Sequence, residues 1–532
     1  CIVWLAKPEY HQSIAKMVRL AGIPWVRERL GWGPVEKERD KFTWTPEYDT
    51  PTKFLADEGV RICSAWHDSP VWTHPSNPNG TCPEDLRDVY GYLKAQTAHL
   101  KGKMQALEIW NEPDGGWFKE IGDSYAGFMK AAYFGAKDGN PQTLVLTGSI
   151  CAGDTPFLHN IGESGIAGYY DVFNWHSYTG AAGFGNILGQ DLKVLKSYGC
   201  YSRPIWMTEA GIGTQGTLGE NNLLLAEDAR QIQCRYVPQA AVSALAAGTE
   251  KFFFFVLSSC KEGNTQWGLL RPDIMPNPGF VSLSAAANII GRSKYLGAYP
   301  AGEGVTAHVF ATPRGNVLVA WADKETEIRV PTEKRTVTVA DIFGKERQVS
   351  ASGSLPVRVG PDAVYVIDAG KKLTSKLVKP APVKMKANTS TPSRVILVGR
   401  CKLQTAFERS AYSFSRDENG KIAPFTYSVE VYNFHKSGKP ATGKVSLTLP
   451  AGWKGENLTR TVTVAPMGRE VLSFTLTPIV TPEYPMKVVV KGTFQSEQVT
   501  PSTSYFTTDP EALKPVKSEP LQWTDAAAWE PS

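Results

Sequence analysis

The chain has 532 residues, too many for a single hydrophobic core, so its length predicts two to four domains. Hydrophobic residues make up 42% of it and charged residues 20%, which is ordinary for a globular protein. The formal net charge is +5, without the basic blocks typical of nucleic-acid binding, and no apolar run approaches the roughly 18 residues that a membrane span needs. We therefore expect neither a nucleic-acid partner nor a membrane span.

The sequence opens in an apolar run, Cys1–Ala6, without an initiator methionine. This opening is compatible with the removal of a signal peptide and also with the omission of an upstream region. The cysteines are scattered without a C-x-x-C pair, which argues against a zinc ribbon or a disulfide-stapled fold. We expect most of the cysteines to be buried thiols. We also expect the protein to be secreted, periplasmic or attached to the cell surface.

Up to residue 292, short apolar segments alternate with helical patterns such as His11–Ala21, Asp85–Leu100 and Leu223–Ala247, as in repeated βαβ units. The predicted strands are Ile2–Ala6, Pro24–Leu30, Arg61–Trp66, Ala106–Asn111, Leu144–Ser149, Asp171–His176, Ile205–Thr208 and Lys251–Leu257. Eight such units in this length predict an α/β fold, a (β/α)8 TIM barrel over residues 1–292. A doubly wound sheet is the alternative, but no G-x-G-x-x-G turn follows the first strand.

Beyond the barrel the pattern changes to alternating apolar and polar residues separated by glycine turns. Residues 293–370 are therefore predicted to form a small antiparallel β-domain. Residues 371–393 are rich in lysine, proline, threonine and serine, a composition typical of a linker. The alternation returns over residues 394–510, which we predict to be an immunoglobulin-like β-sandwich, followed by a tail over 511–532.

Two glutamates end predicted barrel strands. Glu112 follows strand four in the sequence Leu-Glu-Ile-Trp-Asn-Glu-Pro, and Glu209 ends strand seven in Ile-Trp-Met-Thr-Glu-Ala-Gly. Each motif alone has an ordinary explanation, namely a strand that stops at proline or an acid in the first turn of a helix. Together, at strand ends that all point to one mouth of a barrel, they supply the two carboxyl groups that glycosidic bond cleavage requires.

This pair resembles the glutamates of clan A of the glycoside hydrolases, whose acid/base follows an asparagine on strand four and whose nucleophile ends strand seven. Family 39 is the nearest match, and the resemblance covers most of residues 1–292. It is supported by the segments Ala21–Arg27 and Trp267–Asp273. The resemblance implies a retaining hydrolase of β-linked or equatorial glycosides that needs no cofactor or metal, with Glu112 as acid/base and Glu209 as nucleophile.

The resemblance also implies roles for residues near other strand ends. Arg27 would contact the nucleophile, Asn111 would bind the 2-hydroxyl of the sugar, and His67 would contact the substrate. His176 would line the site near Glu112, and Tyr178 would donate a hydrogen bond to Glu209. Glu108 shares the strand parity of Glu112 and is expected to be a buried network carboxylate. A structural role is the alternative for His67.

Tryptophans in predicted loops supply flat faces that can stack on sugar rings or simply pack against the loop. Four of them lie in or beside loops at the predicted mouth: Trp32, Trp72, Trp117 and Trp267. Trp117, five residues after Glu112, is the best candidate for a substrate platform, and Trp267 is also predicted to bind substrate.

Three interpretations follow, all with a carbohydrate partner. The first is a retaining glycosidase acting on β-linked or equatorial glycosides, and the second cuts a polysaccharide internally by the same mechanism; loop lengths would distinguish exo from endo action. The third is a non-catalytic carbohydrate-binding protein on a degenerate barrel. A metal-dependent hydrolase is disfavoured because strand one carries no His-x-His pair and the chain no H-E-x-x-H motif. The sequence leaves the sugar, the linkage and the oligomeric state open.

Overall fold

The computed structural model describes residues 5–66, 68–151, 153–200, 204–214, 217–218, 224–379, 391–495 and 497–508. Over these ranges, an α/β part that ends near residue 290 precedes two parts built from β-strands. In the described part of the chain, no helix combines the length and the apolar character needed to cross a membrane.

Parallel strands form the curved sheet of the α/β part. Seven of them are described: β1 Trp25–Arg29, β2 Arg61–Trp66, β3 Met104–Ile109, β4 Leu144–Leu146, β5 Phe173–His176, β6 Ile205–Ala210 and β7 Lys251–Phe254. Each strand neighbours the next one along the chain, and isolated bridges continue the sheet from β4 to β5. This order, with a helix after each strand, is that of a (β/α)8 barrel. The predicted first strand lies mostly outside the described residues, and Leu5 and Ala6 at its end form a turn and bend.

Helices alternate with these strands. They are α1 His11–Leu20, α2 Pro46–Asp57, α3 Leu86–His99, α4 Gly122–Gly139, α5 Pro156–Glu163, α6 Phe184–Ser197, α7 Glu227–Ala246 and α8 Pro278–Ile290. Their starts follow local rules: Asp85 and Thr155 accept hydrogen bonds from backbone N–H groups in the first turns of α3 and α5. Proline occupies the first position of α2, α5 and α8, where its missing N–H has no intrahelical partner to lose.

The end of β3 differs from the prediction. The strand stops at Ile109, two residues before the predicted end, because the backbone turns sharply before the Asn-Glu-Pro sequence. Trp110 and Glu112 have positive φ angles of 78° and 46°, a conformation that non-glycine residues rarely adopt. This turn directs the side chain of Glu112 towards the mouth of the barrel.

The first β-part contains β8 Lys294–Ala298, β9 Val305–Thr312, β10 Gly315–Ala322, β11 Thr326–Pro331, β12 Thr336–Ala340, β13 Glu346–Ser350, β14 Ser354–Val359 and β15 Val364–Ile367. Six of these form one antiparallel sheet in the order β8-β9-β10-β15-β12-β13, and β11 pairs with β14. The sheet packs on α7 and α8 through an apolar cluster that includes Val242 and Ile289.

The predicted linker begins later than residue 371. Leu373 is fully buried in the core of the first β-part, and Val378 forms a bridge with Ala298. Burial of that leucine side chain outweighs the linker-like composition of the segment. Residues 380–390, in the middle of the predicted linker, lie outside the described residues, as does the predicted tail.

The second β-part is a two-sheet sandwich. Its strands are β16 Val395–Cys401, β17 Gln404–Ala406, β18 Ala411–Ser413, β19 Phe425–Asn433, β20 Ala441–Thr448, β21 Trp453–Gly455, β22 Thr459–Val464, β23 Arg469–Pro478, β24 Met486–Phe494 and β25 Ser502–Thr507. The sheets have the orders β16-β19-β23-β21 and β17-β18-β25-β24-β20-β22. The pairing is antiparallel except between β18 and β25.

The sandwich packs directly on the barrel. Val398, Tyr432 and Phe434 belong to the same apolar cluster as the barrel interior. Buried hydrogen bonds accompany this contact: Asn160 donates to the carbonyl of Thr503 at 2.6 Å. The sandwich is therefore held against α4 and α5 by both apolar packing and satisfied polar groups.

Candidate active site

Glu209, the penultimate residue of strand β6, lies among His176, Arg27 and Tyr178, which favour its charged form. One carboxylate oxygen accepts a hydrogen bond from the guanidinium of Arg27, and the other accepts one from the hydroxyl of Tyr178 at 2.7 Å. Burial alone would raise the pKa of Glu209, but His176, Arg27 and Tyr178 lower it below its ordinary value. Glu209 is therefore held as an ionised carboxylate.

Arg27 is buried and joins Glu209 to a second acid. Its Nε donates to Glu108 Oε2 at 2.9 Å and its Nη2 to Glu108 Oε1 at 2.5 Å. Nη2 also donates to Asn111 Oδ1 at 2.7 Å. Glu108 is fully buried, as expected of a network carboxylate, and its charge compensates the guanidinium inside the barrel.

Glu112 is the more exposed of the two predicted catalytic acids, with 15% of its side chain exposed against 8% for Glu209. Its backbone N–H donates to Ser149 Oγ at 3.1 Å, and that hydroxyl donates to Glu108 Oε1 at 3.1 Å. Ser149 thus connects the Glu112 turn to the buried acid below it.

His176 brings the two glutamates together. Its Nδ1 lies 2.8 Å from Glu112 Oε1 and 3.5 Å from Glu209 Oε2. The imidazole therefore contacts one oxygen of each glutamate, and both carboxyl groups lie at the same point of the mouth. The other ring nitrogen, Nε2, lies 3.0 Å from Thr208 Oγ1, which fixes the orientation of the imidazole.

The mouth also contains aromatic residues. Tyr178 is 41% exposed, and the ring of Trp267 lies 5.5 Å from it in an edge-on arrangement. Trp117 is half-buried in the loop that follows Glu112. His67, which the resemblance placed at the site, lies outside the described residues.

Trp32 follows the packing alternative of its prediction and not the sugar-stacking one. It is fully buried, stacks on Tyr92 at 4.8 Å and donates from Nε1 to Glu36 Oε2 at 2.6 Å. Trp72, half-buried, donates to the carbonyl of Glu36 at 3.0 Å and packs edge-on against Trp32. The loop after β1 folds inward and contains Trp32. Trp72, from the segment after β2, packs against that loop.

Two residues near the glutamates were not predicted. Glu262 lies in a short hairpin after β7, and burial together with the charges of Glu209 and Glu112 raises its pKa to about 7, although Trp267 opposes the shift. Cys151 lies beside Glu112, two residues after Ser149. No motif marks either residue, and only the folded loops bring them to the site.

No protein-family model matches the chain, and no curated protein resembles it in sequence. Solved structures do resemble it. A family 39 glycoside hydrolase from the gut symbiont Bacteroides cellulosilyticus WH2 is 18% identical with a TM-score of 0.57, over 68% of this chain and 79% of that one.

Two further structures show the same likeness. A family 30 subfamily 8 xylanase from Clostridium acetobutylicum is 13% identical with a TM-score of 0.51, over 67% of this chain and 92% of that one. A family 39 β-xylosidase from Caulobacter crescentus is 14% identical with a TM-score of 0.50, over 68% of this chain and 93% of that one. At these identities the likeness establishes the fold that the chain shares with these proteins.

Proposed function

We propose that this protein is a retaining glycoside hydrolase that cleaves β-linked or other equatorial glycosides by double displacement. The observation that carries the proposal is the approach of Glu112 and Glu209 to one nitrogen of His176. Two carboxyl groups that meet at one imidazole nitrogen support the retaining geometry, in which one protonates the leaving oxygen and the other attacks the sugar directly.

Glu209 is the nucleophile in this mechanism. Arg27 and Tyr178 hold it ionised and fix both of its oxygens, so it attacks the anomeric carbon in a defined orientation. The bond between the anomeric carbon and the leaving oxygen breaks as the Glu209–carbon bond forms. A covalent glycosyl-enzyme results. Glu209 is then uncharged, and Glu108 is the acid that remains ion-paired with Arg27.

Glu112 is the acid/base. It donates a proton to the leaving oxygen in the first step and takes a proton from the attacking water in the second. The turn after β3 and the contact with His176 orient its carboxyl group, which in this mechanism acts on the side of the sugar opposite Glu209. Asn111, whose Oδ1 accepts a hydrogen bond from Arg27, binds the 2-hydroxyl of the sugar in this proposal.

Xylosides are the first substrates to test, because the compared structures include a β-xylosidase and a xylanase. Exo and endo cleavage are distinguished by products: a single sugar released from chain ends, or internal fragments of a polysaccharide. We also propose a location outside the cytoplasm, where such polymers occur.

The test is turnover of 4-nitrophenyl β-xyloside, β-glucoside, β-galactoside and α-L-arabinoside by wild type and by the Glu209→Gln and Glu112→Gln variants. The matched control is Glu250→Gln, an exposed residue at the opposite end of β7. We expect both site variants to lose at least 1000-fold in kcat/KM and the control to be unchanged.

Retention is tested separately. Proton NMR of the first product should show the anomeric configuration of the substrate, and a 2-deoxy-2-fluoro glycoside should label Glu209 covalently. Inverted product, labelling at another residue, or no turnover of any glycoside by wild type would each overturn the proposal.

A further inference from the structure

The thiol of Cys151 lies beside the contact between the carboxyl group of Glu112 and the imidazole of His176. The ligand atoms of Glu112, Cys151 and His176 all lie within 4.8 Å of one another. In the ranges that the structure describes, this is the one group of histidine, cysteine and acidic residues with such spacing. Catalysis as proposed above uses the carboxyl and the imidazole but gives the thiol no part.

These three side chains match the ligand chemistry of one class of cation. Zinc binds cysteine sulfur, histidine nitrogen and carboxylate oxygen at about 2.0–2.3 Å, usually with tetrahedral geometry, so its ligands lie about 3.3–3.8 Å apart. The observed spacing therefore needs only small side-chain movements. Magnesium and calcium prefer oxygen ligands alone and suit this set poorly.

We propose that Glu112, Cys151 and His176 form a binding site for a thiophilic or borderline divalent cation such as Zn²⁺, and that its occupation inhibits the enzyme. The inhibitory part rests on the proposed function, because it requires Glu112 to act as acid/base. Three protein ligands would leave the fourth position of a tetrahedral site for water or a sugar hydroxyl.

Each ligand is already held by a neighbour. Thr208 fixes the far nitrogen of His176 at 3.0 Å, and Ser149 accepts the backbone N–H of Glu112 at 3.1 Å. The backbone N–H of Cys151 donates to both carboxylate oxygens of Asp114, at 3.0 and 3.1 Å. Such outer contacts orient metal ligands and commonly contribute 10–100-fold to metal affinity.

The surrounding charge also favours a cation. Burial and the negative charges of Glu112, Asp114 and Glu209 raise the pKa of the Cys151 thiol, so carboxylates surround the sulfur. Cys151 as a whole residue is only partly buried. A bound cation takes the oxygen of Glu112 and the nitrogen of His176, and both the thiol proton of Cys151 and the carboxyl proton of Glu112 pass to solvent. Glu112 then has no proton to donate to a leaving oxygen.

Binding is tested without any substrate. Isothermal titration calorimetry with ZnCl₂ should show one site per chain, and Co²⁺ should give the near-ultraviolet absorption band of a thiolate bound to cobalt. Cys151→Ser should lose that band and bind Zn²⁺ at least 10-fold more weakly. The matched control is Cys401→Ser, the other partly buried cysteine, which lies in the sandwich and should behave as wild type. Thermal melting of each variant checks that it is folded.

Inhibition is tested on wild type and Cys401→Ser with an aryl glycoside, and EDTA should restore full activity. Absence of the cobalt–thiolate band in wild type overturns the site and needs no variant. Equal Zn²⁺ affinity of folded Cys151→Ser and wild type overturns it as well. Zn²⁺ binding without inhibition of an active enzyme overturns the inhibitory role. If wild type cleaves no glycoside but shows the band, the cation site is supported and the proposed function is the part that fails.

Discussion

Tyr178 donates a 2.7 Å hydrogen bond to Glu209, although 41% of the tyrosine is exposed at the mouth of the barrel. Tyr178 follows strand β5, and Glu209 is the penultimate residue of the adjacent strand β6. His176, two residues before the tyrosine, pairs with Glu209 across these strands. The strand register therefore delivers both the hydroxyl and the imidazole to the same carboxylate. Glu209 is positioned by its neighbouring strand rather than by its own loop.

Replacing Tyr178 with phenylalanine removes this hydroxyl and little else. A hydrogen bond to a charged group contributes about 1.5–3 kcal/mol, so we expect kcat/KM for an aryl glycoside to fall about 10–100-fold. The melting temperature should change by no more than about 1 °C, because the ring is partly exposed. The control is Tyr484→Phe in the sandwich, whose hydroxyl donates to the carbonyl of Arg409. An unchanged kcat/KM for Tyr178→Phe would contradict this role.

In the proposed mechanism, the acidic limb of kcat/KM against pH reports the ionisation of Glu209 in the free enzyme. Its pKa is lowered by His176, Arg27 and Tyr178 against the effect of burial, so the carboxylate stays charged until the pH falls through that lowered value. We expect the acidic limb to have its midpoint below about 4.3, the ordinary value for glutamate. Tyr178→Phe should move the midpoint upward. A wild-type acidic midpoint near pH 6 that the variant leaves in place would show that another group controls this limb.

Much of the site could be predicted because it depends on strand ends. The alternation of short apolar segments with helical patterns predicts strands β3 and β6. The carboxyl ends of parallel strands in a barrel all meet at one mouth. Glu112 and Glu209 are thus brought together by topology, and Arg27, His176 and Tyr178 follow from neighbouring strands in the same way.

The remainder depends on loop conformations that local sequence does not fix. Trp32 follows a strand like the other loop tryptophans, but stacking on Tyr92 draws it into the core. Cys151 and Glu262 reach the glutamates only because their loops fold over the mouth. Positive φ at Glu112 is likewise imposed by tertiary contacts, since glutamate has no intrinsic preference for it.

Asp191 on α6 carries a stability cost that depends on pH. It is fully buried, and neither carboxylate oxygen has a hydrogen-bond partner among the described residues. Burial, with the charge of Asp114, raises its pKa to about 8. Because this value lies above the unfolded value of about 3.9, the folded state holds an extra proton between these pH values, and stability falls as pH rises through that window.

Asp191→Asn removes the charge at nearly constant shape. We expect little change in the free energy of unfolding at pH 4 and a gain on the order of a few kcal/mol at pH 8, measured by urea unfolding. The control is Asp323→Asn at an exposed position, which should have no effect at either pH. A gain of equal size at both pH values would mean that the carboxyl group is not protonated in the folded state.

Phe434 tests whether the barrel and the sandwich unfold as one unit. This sandwich residue is 1% exposed, and its ring lies 5.2 Å from that of Tyr90 on α3 and 6.3 Å from that of Phe134 on α4. Truncating it to alanine leaves a cavity between the two parts, at a typical cost of about 3–5 kcal/mol. We expect Phe434→Ala to lower the temperatures at which tertiary circular dichroism and glycosidase activity are lost, and by the same amount. Phe343→Ala, at a residue that is 47% exposed, should shift neither. If the variant's melting curve splits into two transitions and activity survives the first, the apolar contact does not couple the two parts, and the barrel folds without the sandwich.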